Sequence, residues 1–384
     1  MKFKTIKIED ALDALIDYRG KTPKKSEVGI MTLSAKSVKN NYIDYSQCYY
    51  ISEEEYKRFM VRGFPKKGDI LLTTEAPLGM VARLERDDVA MAQRLLTLRG
   101  KKGVLDNDYL LYYLQSPVGQ FSLKARGTGT TVTGIKQAEF RKMEIKVPDY
   151  KIQKKIASVL RSIDKKIELN IAINNNLEQQ AQTIYQQMFI DNARSDWAEG
   201  TLSDIADITM GQSPSGSSYN EDGTGTIFFQ GRAEFGFRFP SVRLYTTEPK
   251  RMARSNDTLM SVRAPVGDLN VAHMDCCIGR GLAAIHSKSH HQSFVLYTMF
   301  SLKKQLDVFN GEGTVFGSIN RNALNDMPIL IPSDDILNEF ERIVAPMDLT
   351  IRNNYDENCR LQDIRDTLLP RLMSGELDVS DIDI

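Results

Sequence analysis

Short polar residues flanked by glycine or proline recur in this chain, and they are the side chains best placed to do chemistry. Gly20-Lys21-Thr22 is answered by Gly211-Gln212-Ser213. Glu75 precedes Ala76-Pro77-Leu78-Gly79, and Arg263, 188 positions on, precedes Ala264-Pro265-Val266-Gly267. Arg126-Gly127-Thr128-Gly129-Thr130 is echoed by Gly311-Glu312-Gly313-Thr314. Gln93-Arg94 and Gly279-Arg280 fall near one another when the halves are aligned. Glycine lets a main-chain amide approach a phosphate closely, and threonine or lysine adds a donor. Arginine forks onto guanine, glutamine pairs with adenine, and glutamate accepts from cytosine. The chemistry these residues suit is contact with a polyanion whose edges are read. The candidates are Lys21, Thr22, Lys36, Glu75, Arg94, Arg126, Thr128 and Thr130, with Gln212, Ser213, Arg232, Arg263, Arg280 and Thr314 in the second half. Taken singly, each is equally a hairpin or surface residue; their repetition sets them apart.

Catalytic chemistry finds little support. Gly20-Lys21-Thr22 resembles the end of a nucleotide-binding loop, but the required first glycine is Leu15 and the repeat carries Gln212 for the lysine. His273, Cys276, Cys277, His286, His290 and His291 gather in one half only and lack paired zinc spacing. Pro148-Asp149 opens a nuclease-like pattern that no Glu-x-Lys completes, and no methyltransferase or G-x-S-x-G motif stands out. The four cysteines read as reduced thiols. We expect no metal, no cofactor and no reaction in this chain.

The elements that must position the loops are two long helices. Residues 151–190 contain neither Gly nor Pro, and Ile152, Ile156, Val159, Ile163, Ile167, Leu177, Ala181, Ile184 and Met188 step along one helical face. Asn170 and Asn174 interrupt that seam. Ile336, Phe340, Ile343, Met347, Ile351, Asn354, Asn358, Leu361, Arg365, Leu368 and Leu372 repeat it 184 residues later, asparagines included, with Arg365 the one polar departure. Forty helical residues span roughly 60 Å. A rod polar on its other faces needs a partner along its seam. The order domain–helix–domain–helix lets the two pair only antiparallel, giving approximate two-fold symmetry. Flush pairing sets Asn170 opposite Asn354.

The expected fold is α+β: two repeated mixed recognition domains, residues 1–148 and 193–332, and two helical segments, 149–192 and 333–384, forming a coiled-coil spacer. In the first domain a short helix spans Ile8 to Ile16, strands lie near 29–33, 69–74, 81 and 95–98, residues 107–124 are helical, and a strand runs from Met143 to Val147. With 384 residues, 41% of them apolar, two self-sufficient cores are feasible. No apolar run is long enough to span a membrane and the N-terminus lacks a signal-peptide core, so the cytoplasm is expected. Net charge is zero, yet residues 1–148 hold 26 Lys and Arg against 18 Asp and Glu, and residues 333–384 hold 5 against 13. A basic first domain is compatible with a polyanionic partner.

At this point the chain resembles the specificity subunit of Type I restriction-modification systems over nearly all its length. The resemblance rests on the repeated A-P-x-G loops at 76–79 and 264–267. It rests also on the strand–proline–helix junctions Ile145-Lys146-Val147-Pro148 with Ile152-Gln153 and Ile329-Leu330-Ile331-Pro332. The tail Leu368-Leu369-Pro370-Arg371-Leu372-Met373-Ser374-Gly375-Glu376-Leu377 is similar to the family's typical ending. It implies a DNA-reading adaptor without catalysis, each domain reading half of a bipartite double-stranded DNA site. The helices would set the gap and dock two modification subunits, which methylate adenine with S-adenosylmethionine. Restriction subunits would add ATP- and Mg2+-dependent translocation and cleavage. The near-neutral second domain departs from the pattern and implies that modification subunits supply positive surface there. The competing readings are a stand-alone nuclease or methyltransferase, which turnover by the chain alone would reveal, and a two-headed protein scaffold. Salt-dependent DNA binding separates that scaffold from a DNA reader.

Overall fold

The computed structural model describes residues 1–129, 133–311 and 317–382. The chain divides into two compact units, Met1–Glu168 with Asn358–Ile384, and Leu169–Glu357. In chain order the first unit contains β1 (Phe3–Lys7), α1 (Ile8–Ala11), β2 (Leu12–Asp17), β3 (Ile30–Leu33), β4 (Tyr49–Ile51), α2 (Glu53–Phe59), β5 (Ile70–Thr73), β6 (Val81–Arg83), β7 (Val89–Met91) and β8 (Leu95–Gly100). Then follow α3 (Asn107–Gln115), α4 (Pro117–Ala125), α5 (Gln137–Arg141), β9 (Glu144–Pro148) and the start of α6 (Tyr150–Tyr185). Strand order is β2-β8-β5-β6 in the central sheet, β4-β3-β7 in a second, and β1-β9 in a ribbon.

The central sheet is covered on both faces, which is why Ile70-Leu71-Leu72-Thr73 is buried at every position. Strand alternation sends Ile70, Leu72, Leu96 and Leu98 into one core with α3 and the long helices. Leu71, Ala82 and Leu95 go into another with β3 and β7. The expected 8–16 helix ends at Ala11, and Leu12–Asp17 is instead a strand paired with β8. Residues 107–124 are two helices. Ser116 is extended, caps the second through its side chain, and is followed by Pro117, so one helix stops and another starts. The N-terminal strand β1, unanticipated, pairs antiparallel with the predicted 143–147 strand.

After α6 a π-helical turn covers Gln186–Asp191. The second unit continues with β10 (Ala198–Thr201), α7 (Leu202–Ile205), β11 (Ala206–Met210), β12 (Tyr219–Asn220), β13 (Thr226–Phe229), β14 (Leu244–Thr246), β15 (Met252–Ala253), β16 (Thr258–Ser261), β17 (Leu269–Val271), β18 (Cys276–Ile278) and β19 (Leu282–Ser287). It ends with α8 (Gln292–Ser301), α9 (Lys303–Asp307), α10 (Arg321–Asn325), β20 (Pro328–Ile331) and the first part of α11 (Asp334–Ser374). The sheet orders β11-β19-β16-β17, β12-β14-β13-β18-β15 and β10-β20 repeat the first unit's topology, with β12 and β15 added.

Within the second unit α6 and α11 run antiparallel. Asn170 donates to Glu357 at 2.7 Å, while Asn174, further along α6, donates to the earlier Ile351 carbonyl at 3.2 Å. Asn354 pairs with Asn174 rather than with Asn170, one turn from the flush register. Asn358 is buried on the same helix in the first unit.

In each unit a tyrosine–aspartate bond ties a domain helix to a long helix, buried in the first unit and half-buried in the second. In the first unit Tyr112 of α3 donates to Asp164 of α6 at 2.6 Å, and Arg365 donates to the same carboxylate at 3.1 Å. Arg365 thus interrupts the apolar seam because it partners a carboxylate that is 1% exposed. In the second, Tyr297 of α8 donates to Asp348 at 2.9 Å, and buried Arg238 completes the group at 3.3 Å. Burial pushes both tyrosine hydroxyls well above their ordinary range, so they remain donors. Among the described residues no helix is long and apolar enough to cross a membrane.

Candidate nucleic-acid interface

In both units the candidate loops leave the same end of the central sheet. β5 runs into Thr74-Glu75 and then the Ala76-Pro77-Leu78-Gly79 loop, whose Ala76–Pro77 bond is cis; β16 runs into Val262-Arg263 and a loop with cis Ala264–Pro265. A buried hydroxyl locks each loop. Thr73 Oγ1 donates to the Pro77 carbonyl at 2.6 Å and accepts from the Met80 amide. Ser261 Oγ donates to Pro265 at 2.7 Å and accepts from Asp268. Gly79 and Gly267, at φ +93° and +83°, close the loops in a conformation that favours glycine. The loops are therefore rigid mounts that present the residue before them.

The neighbouring loops align through equivalent hydrogen bonds. Ala92 donates to the Leu33 carbonyl and Gly279 to the Phe229 carbonyl, each at 2.8 Å. Thr74 donates to Arg94, and Val262 to Gly281. These bonds make Lys36 the counterpart of Arg232 and Gln93 the counterpart of Arg280, with Arg94 facing the place of Gly281. In the second unit Ser213, Gln230, Arg232, Arg263 and Arg280 share one pocket of about 240 Å³. Ser213 Oγ accepts from the Arg280 amide at 3.2 Å, and Arg232 is salt-bridged to Asp268. Arg263 and Arg280 are exposed, as is Gln212, which precedes Ser213 in sequence.

In the first unit Glu75 Oε1 is salt-bridged to Arg94 Nε at 2.7 Å. Glu75 and Thr128 both bridge to Gly134 through their main chains. Arg19 donates to the Ile135 carbonyl at 2.9 Å, tying the turn before Lys21 and Thr22 to the glycine-rich loop. Lys21, Thr22 and Lys36 are exposed; Arg126 is half-buried, its guanidinium 3.9 Å from Glu139. Thr130 and Thr314 lie outside the described residues. Asn170, Asn174, Asn354 and Asn358 lie on the helices and take no part in either rim.

Gln230 was not anticipated. It follows β13 directly, and a loop inserted before β13 shifts its offset from Ser34 to 196, so an ungapped alignment passes over it. Of the histidines, His273 is held by Asp356 and His286 by Asp257, both at 2.6 Å, and His291 by Asn338 at 3.1 Å, while His290 is exposed. Among the described residues no group of His, Cys, Asp and Glu is arranged to hold a metal ion.

Residues 2–179 match the family described as Type I restriction modification DNA specificity domain. The putative type I restriction enzyme MjaX specificity subunit of Methanocaldococcus jannaschii is 28% identical over 97% of this chain and 93% of its own length. The HindI specificity subunit of Haemophilus influenzae is 22% identical over 81% of this chain and 87% of its own. The crystal structure of a Type I restriction-modification S subunit from M. genitalium covers 97% of this chain and 96% of its own, with a TM-score of 0.65 at 16% identity. That likeness is one of fold.

Proposed function

We propose that this chain, which belongs to the family of Type I restriction-modification specificity subunits, is the component through which such a complex recognises its DNA sequence. It carries out no reaction itself. Each unit reads one half of a bipartite double-stranded DNA site through the rim of its central sheet. The paired helices set the distance between the half-sites and dock two modification subunits, which use S-adenosylmethionine. Restriction subunits, using ATP and Mg2+, join that assembly.

One observation carries the reading: the two rims share a scaffold and differ in what they present. Lys36, Glu75 and Gln93 in the first unit stand where Arg232, Arg263 and Arg280 stand in the second. A common mount with exchanged donors and acceptors is what two readers of two sequences require. Because the rims differ, the full site is not a palindrome.

The test is methylome sequencing of a host expressing the chain with its modification subunits, beside a host expressing those subunits alone. A bipartite asymmetric methylated motif that requires the chain is expected. Methylation by the chain alone, or a motif that persists without it, overturns the proposal. DNA binding by the complex should fall steeply with salt, as phosphate contacts demand.

A further inference from the structure

One rim position carries opposite charge in the two units. Glu75 and Arg263 both follow a central strand and precede the cis-proline loop. Arg263 opens onto a pocket with Arg280 and Arg232. Glu75 is instead held by Arg94, with Oε1 and Nε 2.7 Å apart. The contact is closed twice, because the Arg94 carbonyl also accepts from the Thr74 amide at 3.0 Å. Arg94 sits at φ +69°, a conformation that costs a side chain free energy and is kept where the surroundings enforce it. The pair is presented rather than buried, since the Arg94 side chain is 50% exposed and that of Glu75 is 32% exposed.

Resting on the DNA-reading function proposed above, we propose that Glu75 and Arg94 act together as one reader of a C·G base pair in the first half-site. In the major groove, cytosine offers its N4 amine as a donor beside the O6 and N7 acceptors of guanine. A carboxylate and a guanidinium held side by side present the complementary order, acceptor next to donor. Pairing also solves an electrostatic problem. A lone carboxylate is repelled by the phosphates that flank the groove, whereas one neutralised by its own arginine approaches without that penalty. The second unit, with Arg263 in the place of Glu75 and Arg280 one position before the place of Arg94, offers donors only there and reads acceptor edges, hence guanine.

The experiment is methylome sequencing with the intact complex, comparing the wild-type chain with Glu75→Gln, Arg94→Gln and the charge-exchanged pair E75R/R94E. Both single variants should relax the same one position of the first half-site, by roughly tenfold or more in discrimination, and leave the second half-site unchanged. The exchanged pair can keep an ion pair while reversing donor and acceptor. If the pair only braces the loop, that variant methylates the original motif and the inference fails. If it reads a base pair, the position changes from C·G to another identity. Should the exchanged chain fail to assemble, the single variants decide: an unchanged motif in both, or changes at different positions, overturns the inference. A wild-type chain that directs no methylation defeats the functional proposal itself, so the two failures are distinct.

Discussion

Asn354 Nδ2 donates to Asn174 Oδ1 at 2.8 Å, across the two antiparallel helices of the second unit. Seam midpoints alone place Asn354 against Asn170. The helices slide by a turn from that arrangement because aromatic bulk, not the count of apolar steps, decides the fit. Phe189 in the π-turn packs on Phe340 and Phe294 with ring centroids 5.1 and 4.8 Å away, and Tyr185 on Phe340 at 5.9 Å. With those rings seated, Asn174 meets Asn354.

Replacing Asn174 by leucine removes the acceptor and leaves the Asn354 amide poorly paired at a half-buried position. The expected loss is about 1–2 kcal/mol. The double change of Asn174 and Asn354 to leucine should recover most of it, since an apolar seam pair leaves no stranded donor. Denaturant titration of both singles and the double tests this. Losses that simply add would mean that the asparagines do not interact.

Asp164 is expected to be the more sensitive position. It is 1% exposed and accepts from both Tyr112 and Arg365. Asp164→Ala strands a buried hydroxyl and leaves Arg365, which keeps its bonds to Asp366, without its buried partner, with a loss of about 1–3 kcal/mol. Burial raises the Tyr112 hydroxyl above its ordinary value of 10.0, with Asp164 adding to the shift. The folded state therefore holds that proton more tightly than the unfolded chain does. The resulting stability is complete below pH 10 and is lost as pH climbs from there toward the folded value. Tyr112→Phe should flatten the decline above pH 10, and an identical alkaline profile would exclude Tyr112 as its source.

Much of this was legible from residue types. Ile70-Leu71-Leu72-Thr73 reads as a strand, the A-P-x-G loops read as a repeat, and the paired asparagines reveal the second helix. What escaped depends on distant partners. Phe3-Lys4-Thr5-Ile6-Lys7 is a strand only because Glu144–Pro148 offers an edge. Arg365 looks like a flaw in the seam until Asp164 lies beside it. The Gln93–Arg280 equivalence depends on the register of β8 against β5 and β19 against β16, which no ungapped offset reveals.

Phosphate and base contacts should separate by their salt response. Lys21→Ala and Arg126→Ala should each weaken DNA binding on all sequences and reduce the salt slope by about one. Arg263→Ala should leave that slope nearly intact and relax one position of the second half-site, by about 1–3 kcal/mol if the contact is bidentate. Binding isotherms from low to moderate salt, with matched and mismatched duplexes, distinguish the two classes. Equal effects on slope in all three would assign Arg263 to the backbone.

The thiols offer a check on the packing of the second unit. Cys359 is exposed, whereas Cys276 and Cys277 are fully buried in β18. Burial pushes the Cys276 thiol up to about 12. In the native chain a thiol reagent should modify Cys359 within the mixing time and reach Cys276 only on unfolding. Peptide mapping after brief labelling decides it; early modification of Cys276 would mean that β18 does not sit between β13 and β15.

If the paired helices set the distance between half-sites, lengthening both should change the gap and nothing else. One extra turn of four residues adds about 6 Å of rise, which is one to two base pairs at about 3.4 Å each. The insertions belong at equivalent places, after Asn174 in α6 and after Asn358 in α11, so that the repeated seam stays in step. Neither insertion touches a rim residue, because the A-P-x-G loops and their neighbours hang from the sheets. Methylome sequencing should therefore return both half-sites unaltered with one or two more unread pairs between them. A fixed gap with altered half-sites would show that something other than the helices sets the spacing.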